Sequence, residues 1–96
     1  MRVRFTSAAE TELADALDWY ATNAPREVER FLDELEGLTR RLADNPRQFP
    51  GVLGDVRRAG FRRYPYGLFF LTRGEEVQVP ACFHASRDPS HWHGRI

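Results

Sequence analysis

Lysine is missing from this chain: all 14 of its cationic side chains are arginines, set against 14 acidic ones for a formal net charge of zero. Any anion it grips is therefore met by planar, bidentate guanidinium forks and not by ammonium point charges. Cysteine is nearly missing too. The single Cys82 rules out an intrachain disulfide and a cysteine-based zinc cluster together. Long apolar runs are absent, because Leu68-Phe69-Phe70-Leu71 falls far short of the roughly 20 residues that a membrane span requires. The opening Met1-Arg2-Val3-Arg4 leads into no secretory apolar segment, so the expected location is the cytoplasm, with no membrane partner. At 96 residues there is room for one domain, residues 1–96, and none for a cofactor-binding fold, so no cofactor is expected.

The zero net charge hides an asymmetry. Residues 1–55 carry 7 Arg against 11 acids, a balance of −4, and residues 56–96 carry 7 Arg against 3 acids, a balance of +4. The back half is the electropositive half, which points to an anionic partner.

The residue pattern predicts an α+β domain in the order β-α-α-β-β-β, a small, mostly antiparallel sheet covered by an N-terminal helical hairpin. Arg2 to Phe5 alternates as a short strand does. Ser7-Ala8-Ala9-Glu10 has capping-box spacing, and Ala9, Leu13, Ala16, Leu17 and Tyr20 recur at helical spacing, which predicts a helix over 7–22. Pro25 opens a second helix whose stripe of Val28, Phe31, Leu32, Leu35, Leu38 and Leu42 stops at Asn45-Pro46. Residues 48–54 read as a loop, followed by strands over 56–63, 66–72 and 77–84 with a hairpin turn at Arg73-Gly74-Glu75. In the last strand Val77, Val79, Ala81 and Phe83 form one buried face, and Pro80 implies a bulge or an unpaired edge.

Two groups of residues carry candidate chemistry. Arg57-Arg58 and Arg62-Arg63 fall in the predicted second strand, four guanidiniums within seven residues, suited to nucleic acid or to an acidic protein segment. The stretch from His84 to Arg95 gathers His84, His91 and His93, Arg87 and Arg95, Asp88 and Trp92. Asp88 before Pro89 suits a tight turn, Trp92 either closes the core or stacks on a partner, and His84 among arginines is a feasible general base for a ribose hydroxyl. A metal site would need a third ligand beside His91 and His93 that no motif supplies, so none is expected. Cys82 reads as a small apolar packing residue, while Trp19 sits at the margin of the first helix's stripe, either core or part of an exposed groove.

Taken together, the element order, the run Val56-Arg57-Arg58 leading to Arg63-Tyr64-Pro65-Tyr66-Gly67-Leu68-Phe69-Phe70, and the ending His84-x-x-Arg87-Asp88-Pro89-x-x-Trp92 resemble the RelE/ParE superfamily of bacterial type II toxins, the ParE-like branch in particular. That resemblance implies a growth inhibitor that poisons DNA gyrase without catalysis of its own. Target-binding residues would then be Arg57, Arg58, Arg62, Arg63, Arg87, Trp92 and Arg95. The RelE-like alternative implies a ribosome-dependent endonuclease cutting mRNA, with Arg62, Arg63, His84 and Arg87 as its catalytic candidates. A third possibility, an inactive relative that only sequesters antitoxins, shares the same partner. All three imply a cognate antitoxin whose amphipathic segment covers the hairpin near Leu13, Leu17, Trp19, Tyr20 and Phe31.

Overall fold

The computed structural model describes residues 1–85. Strand β1 (Arg2–Phe5) is followed by helices α1 (Ser7–Asn23) and α2 (Val28–Asp44), then by β2 (Gly51–Leu53), β3 (Val56–Gly60), β4 (Tyr66–Arg73) and β5 (Glu76–His84). The sheet runs β1-β5-β4-β3-β2. Among the described residues the β1–β5 pair is parallel and the other three pairs are antiparallel. The architecture is the anticipated α+β fold, a helical hairpin over one sheet face, with one strand more than expected. That extra strand, β2, is a three-residue edge piece between Pro50 and the positive-φ Gly54, too short to show a period of two.

Local chemistry sets the helix ends. Thr6, not Ser7, caps α1: its hydroxyl accepts the Ala9 N–H at 3.2 Å while its own N–H donates to the Val79 carbonyl of β5 at 3.1 Å. With the cap one residue earlier than the Ser-x-x-Glu spacing implies, position N3 is Ala9, and no reciprocal carboxylate exists; Glu10 serves the first turn through the helix dipole. Pro25–Glu27 forms a single 3₁₀ turn before α2, and α2 ends where Pro46 can supply no helical N–H.

Between hairpin and sheet lies the main core. Ala9, Leu13, Ala16 and Tyr20 of α1 and Phe31, Leu38 and Leu42 of α2 pack on Ala59, Leu68, Phe70, Val77, Val79 and Cys82 of the sheet. Phe31 stacks on Phe61 with ring centroids 4.7 Å apart.

A bulge governs the last strand. Phe69 pairs with Ala81 but Leu71 pairs with Gln78, so Phe70 alone faces both Val79 and Pro80. Pro80, which has no N–H to give a ladder, sits at the irregularity as expected. Its consequence is a change of parity: Val77 and Val79 face the helices, as does Cys82 beyond the bulge, whereas Ala81 and Phe83 join Val56 and Phe69 in a second cluster. The expected single buried face is therefore corrected to burial on both faces, because β5 is an interior strand whose alternation is reset midway. Where β1 ends, α1 takes over its role at the strand edge: a Glu12 carboxylate oxygen accepts the Cys82 N–H at 3.0 Å.

Candidate partner-binding surface

The arginines of β3 point to opposite faces, as strand neighbours must. Arg57 turns toward the helix side and donates to the Phe49 carbonyl at 2.7 Å. Arg58 lies on the helix-free face, its guanidinium resting over Gly60 and Gly67, which are directly opposite each other in the β3–β4 ladder.

Arg62 and Arg63 are not in a strand, which corrects the expected span of 56–63. The strand stops at Gly60, and residues 61–65 form the loop to β4. The order Phe61-Arg62-Arg63-Tyr64 explains the shape of this loop. Phe61 and Tyr64 are buried anchors against Phe31, and the two arginines between them are exposed. Helix α2 fastens the loop from beneath. The Glu34 carboxylate accepts both backbone amides at the apex, from Arg62 on one oxygen and from Arg63 on the other at 3.3 Å. The Tyr64 hydroxyl donates to Glu27 at 2.8 Å. Burial, reinforced by that bond to a carboxylate, pushes the Tyr64 phenol up to about 12. Glutamate thus binds the backbone here and leaves the guanidiniums unspent.

Among the described residues the ion pairs are Arg4–Glu76, Arg30–Glu27 and Arg40–Glu36. None of Arg57, Arg58, Arg62 and Arg63 takes part. They do not share one plane, however: the four divide between the two sheet faces and the β3–β4 loop.

His84 ends β5 with its ring edge-on to Tyr66, centroids 5.2 Å apart, and lines a hollow with Trp19, Tyr20, Pro65 and Tyr66. Trp19 is 56% exposed and stands edge-on to Tyr20 at 5.1 Å. Of the residues expected to meet an antitoxin, Trp19 is at the surface and Leu17 is partly buried. Leu13, Tyr20 and Phe31 are core residues that support that surface from within, Phe31 being fully buried. Arg87, Trp92 and Arg95 lie outside the described residues, as do Asp88, His91 and His93. Cys82 is buried among apolar neighbours, and burial, with the Glu12 charge nearby, pushes its thiol up to about 12. Among the described residues no three metal-ligating side chains come together, and no helix is long and apolar enough to cross a membrane.

Several contributors to this surface escaped the sequence reading. Gly60 and Gly67 carried a signal, since glycine inside a strand often marks a close approach of another group. Glu34 and Glu27 carried none, because an acid on an amphipathic helix looks like any solvated one.

Known proteins with this architecture define its class. The fold matches a solved structure described as the chromosomal ParDE TA system from P. aeruginosa, with a TM-score of 0.75 at 20% identity over 88% of this chain and 95% of that one. Toxin ParE2 of Mycobacterium tuberculosis, strains CDC 1551 / Oshkosh and ATCC 25618 / H37Rv, is 24% identical over 90 residues, covering 93% of this chain and 86% of the relative. The profile of the family described as ParE toxin of type II toxin-antitoxin system, parDE, matches residues 3–89. The chain belongs to this ParE toxin family.

Proposed function

We propose that the chain is a growth-inhibiting toxin that acts in the cytoplasm by poisoning DNA gyrase, and that a cognate antitoxin neutralises it. Membership of the ParE toxin family supports the toxin reading, and gyrase in place of the ribosome is what the resemblance to the ParE-like branch implies. The observation that carries the reading is the Arg62-Arg63 pair: two exposed forks held at the apex of a loop whose flanks are buried and whose backbone α2 clamps. A rigid presentation lowers the ordering cost of binding, and guanidiniums without an ion-pair partner among the described residues steer association with an anionic macromolecular surface such as a gyrase–DNA complex. On the helical side, exposed Trp19 and half-buried Leu17 offer an apolar strip for an amphipathic antitoxin helix.

Purified protein added to gyrase and plasmid should trap cleaved DNA complexes or block supercoiling. The Arg62→Ala/Arg63→Ala variant should do so far more weakly while melting as the wild type does. Cutting of ribosome-bound message in a primer-extension assay, with gyrase unaffected at saturating protein, would replace this reading with that of an endonuclease. Growth unaffected by expression without the antitoxin would leave only an antitoxin-sequestering role.

A further inference from the structure

We infer that the outer face of α1, where the exposed Trp19 stands beside Asp15 and Asp18, receives a basic amphipathic segment of the antitoxin. This rests on the toxin–antitoxin reading above and gives the partner its chemistry. Between Arg4 and Arg26 the sequence holds no cation, whereas Glu10, Glu12, Asp15 and Asp18 all fall within α1. Two of these acids serve the fold. Glu12 accepts the Cys82 N–H of β5, and Glu10 lies in the first turn at the positive end of the helix dipole. Asp15 and Asp18 have no such duty. Both are exposed, neither pairs with an arginine among the described residues, and a separation of three makes them neighbours on the helix surface. Trp19, four residues after Asp15, adjoins them and is 56% exposed.

Three features of this face attract positive charge. The two carboxylates do so directly, and the indole does so through the negative face of its ring. The C-terminal end of α1 adds the negative end of the helix dipole, with no basic residue in its last turn. An arginine or lysine of the partner can lay its apolar stem on the Trp19 ring while its charged head meets a carboxylate. Trp19 also supplies the apolar half of an amphipathic match, at the mouth of the hollow it lines with Pro65, Tyr66 and His84. A target that presents DNA is repelled by the same charges. The two partners are thus sorted by sign, the anionic one to the exposed Arg62-Arg63 apex and the cationic one to α1.

The test is calorimetric titration of the wild type, Asp15→Asn/Asp18→Asn, Asp15→Arg/Asp18→Arg and Asp55→Asn with the short protein encoded in the neighbouring reading frame. The amide variant should melt at or slightly above the wild-type temperature, because a like-charge pair is removed from the helix. It should bind roughly threefold to tenfold more weakly, with an affinity that falls less steeply as salt is raised. The charge-reversed variant should lose about a hundredfold or more, since like charges then meet. Asp55→Asn, which removes an exposed acid between β2 and β3, should bind as the wild type does. Unchanged affinity in the amide variant, or tighter binding in the charge-reversed one, overturns this assignment alone, whatever either does to gyrase. Self-association of the wild type that the amide variant abolishes would give the face to a second copy instead. A wild type that does not bind the neighbouring protein overturns the toxin–antitoxin reading and the assignment with it.

Discussion

Removing the Glu34 carboxylate should loosen the β3–β4 loop without touching an arginine. In Glu34→Ala the amides of Arg62 and Arg63 lose their acceptor at once. A hydrogen bond to a charged group contributes about 1.5–3 kcal/mol when well shielded. Glu34 is only half-buried and water can replace it at both amides, so the pair together should cost about 1–2 kcal/mol. For a domain of this size that lowers Tm by roughly 5–10 °C. Glu34→Gln should fall between the two, because it retains one acceptor but turns an NH₂ group toward the other amide. Glu36→Ala, which removes an exposed α2 ion pair to Arg40, should change stability by less than about 0.5 kcal/mol. Thermal unfolding gives the global cost, and amide hydrogen exchange at residues 62 and 63 gives the local one. Gyrase inhibition should fall in Glu34→Ala although both guanidiniums remain. A variant with wild-type Tm and unchanged protection of those two amides would refute the clamp.

Phe31→Ala should cost about 3–5 kcal/mol, since this ring is fully buried and stacks on Phe61; thermal or urea unfolding should show a chain near the limit of folding. Trp19→Ala should leave the melting temperature within a few degrees, because the side chain is more than half exposed, but should weaken antitoxin binding by about 2 kcal/mol as a surface aromatic anchor does, read by calorimetry. The raised Tyr64 phenol means that the folded state holds its proton more tightly than the unfolded chain does. Its contribution is complete below pH 10 and is lost between about pH 10 and 12, so urea midpoints should fall across that window and fall less steeply in Tyr64→Phe. Cys82 should resist thiol reagents at pH 8 until the chain is unfolded, because burial keeps it protonated and out of reach.

The two helices were legible because their apolar residues repeat at 3.6 over some 17 positions each, long enough for the period to show above noise. Pro80 likewise announced its bulge, since proline can give no ladder hydrogen bond. What the bulge did to everything after it was not legible: its exact position, with Phe70 of β4 opposite two residues of β5, sets the change of parity, and that β5 is an interior strand follows from the β1–β5 pairing of residues more than seventy positions apart. The boundary of β3 was missed for a similar reason. Phe61 and Tyr64 look like strand residues until Phe31, on another element, is seen to draw both inward. The arginine clusters were visible as sequence, but their division between two faces and a loop follows from where Gly60 ends the strand. Their placements are separate: the clamped loop apex for Arg62 and Arg63, the helix side of the sheet for Arg57, and the stretch over Gly60 and Gly67 for Arg58.

The measurement closest to the centre of this account is gyrase supercoiling and cleavage-complex formation with wild-type protein beside the folded Arg62→Ala/Arg63→Ala variant. Wild-type protein should inhibit, and the variant should lose about 30-fold or more in potency, two interfacial arginines contributing more than about 1 kcal/mol each. Equal potency of the two proteins, or no effect of the wild type on gyrase at saturation, would contradict it.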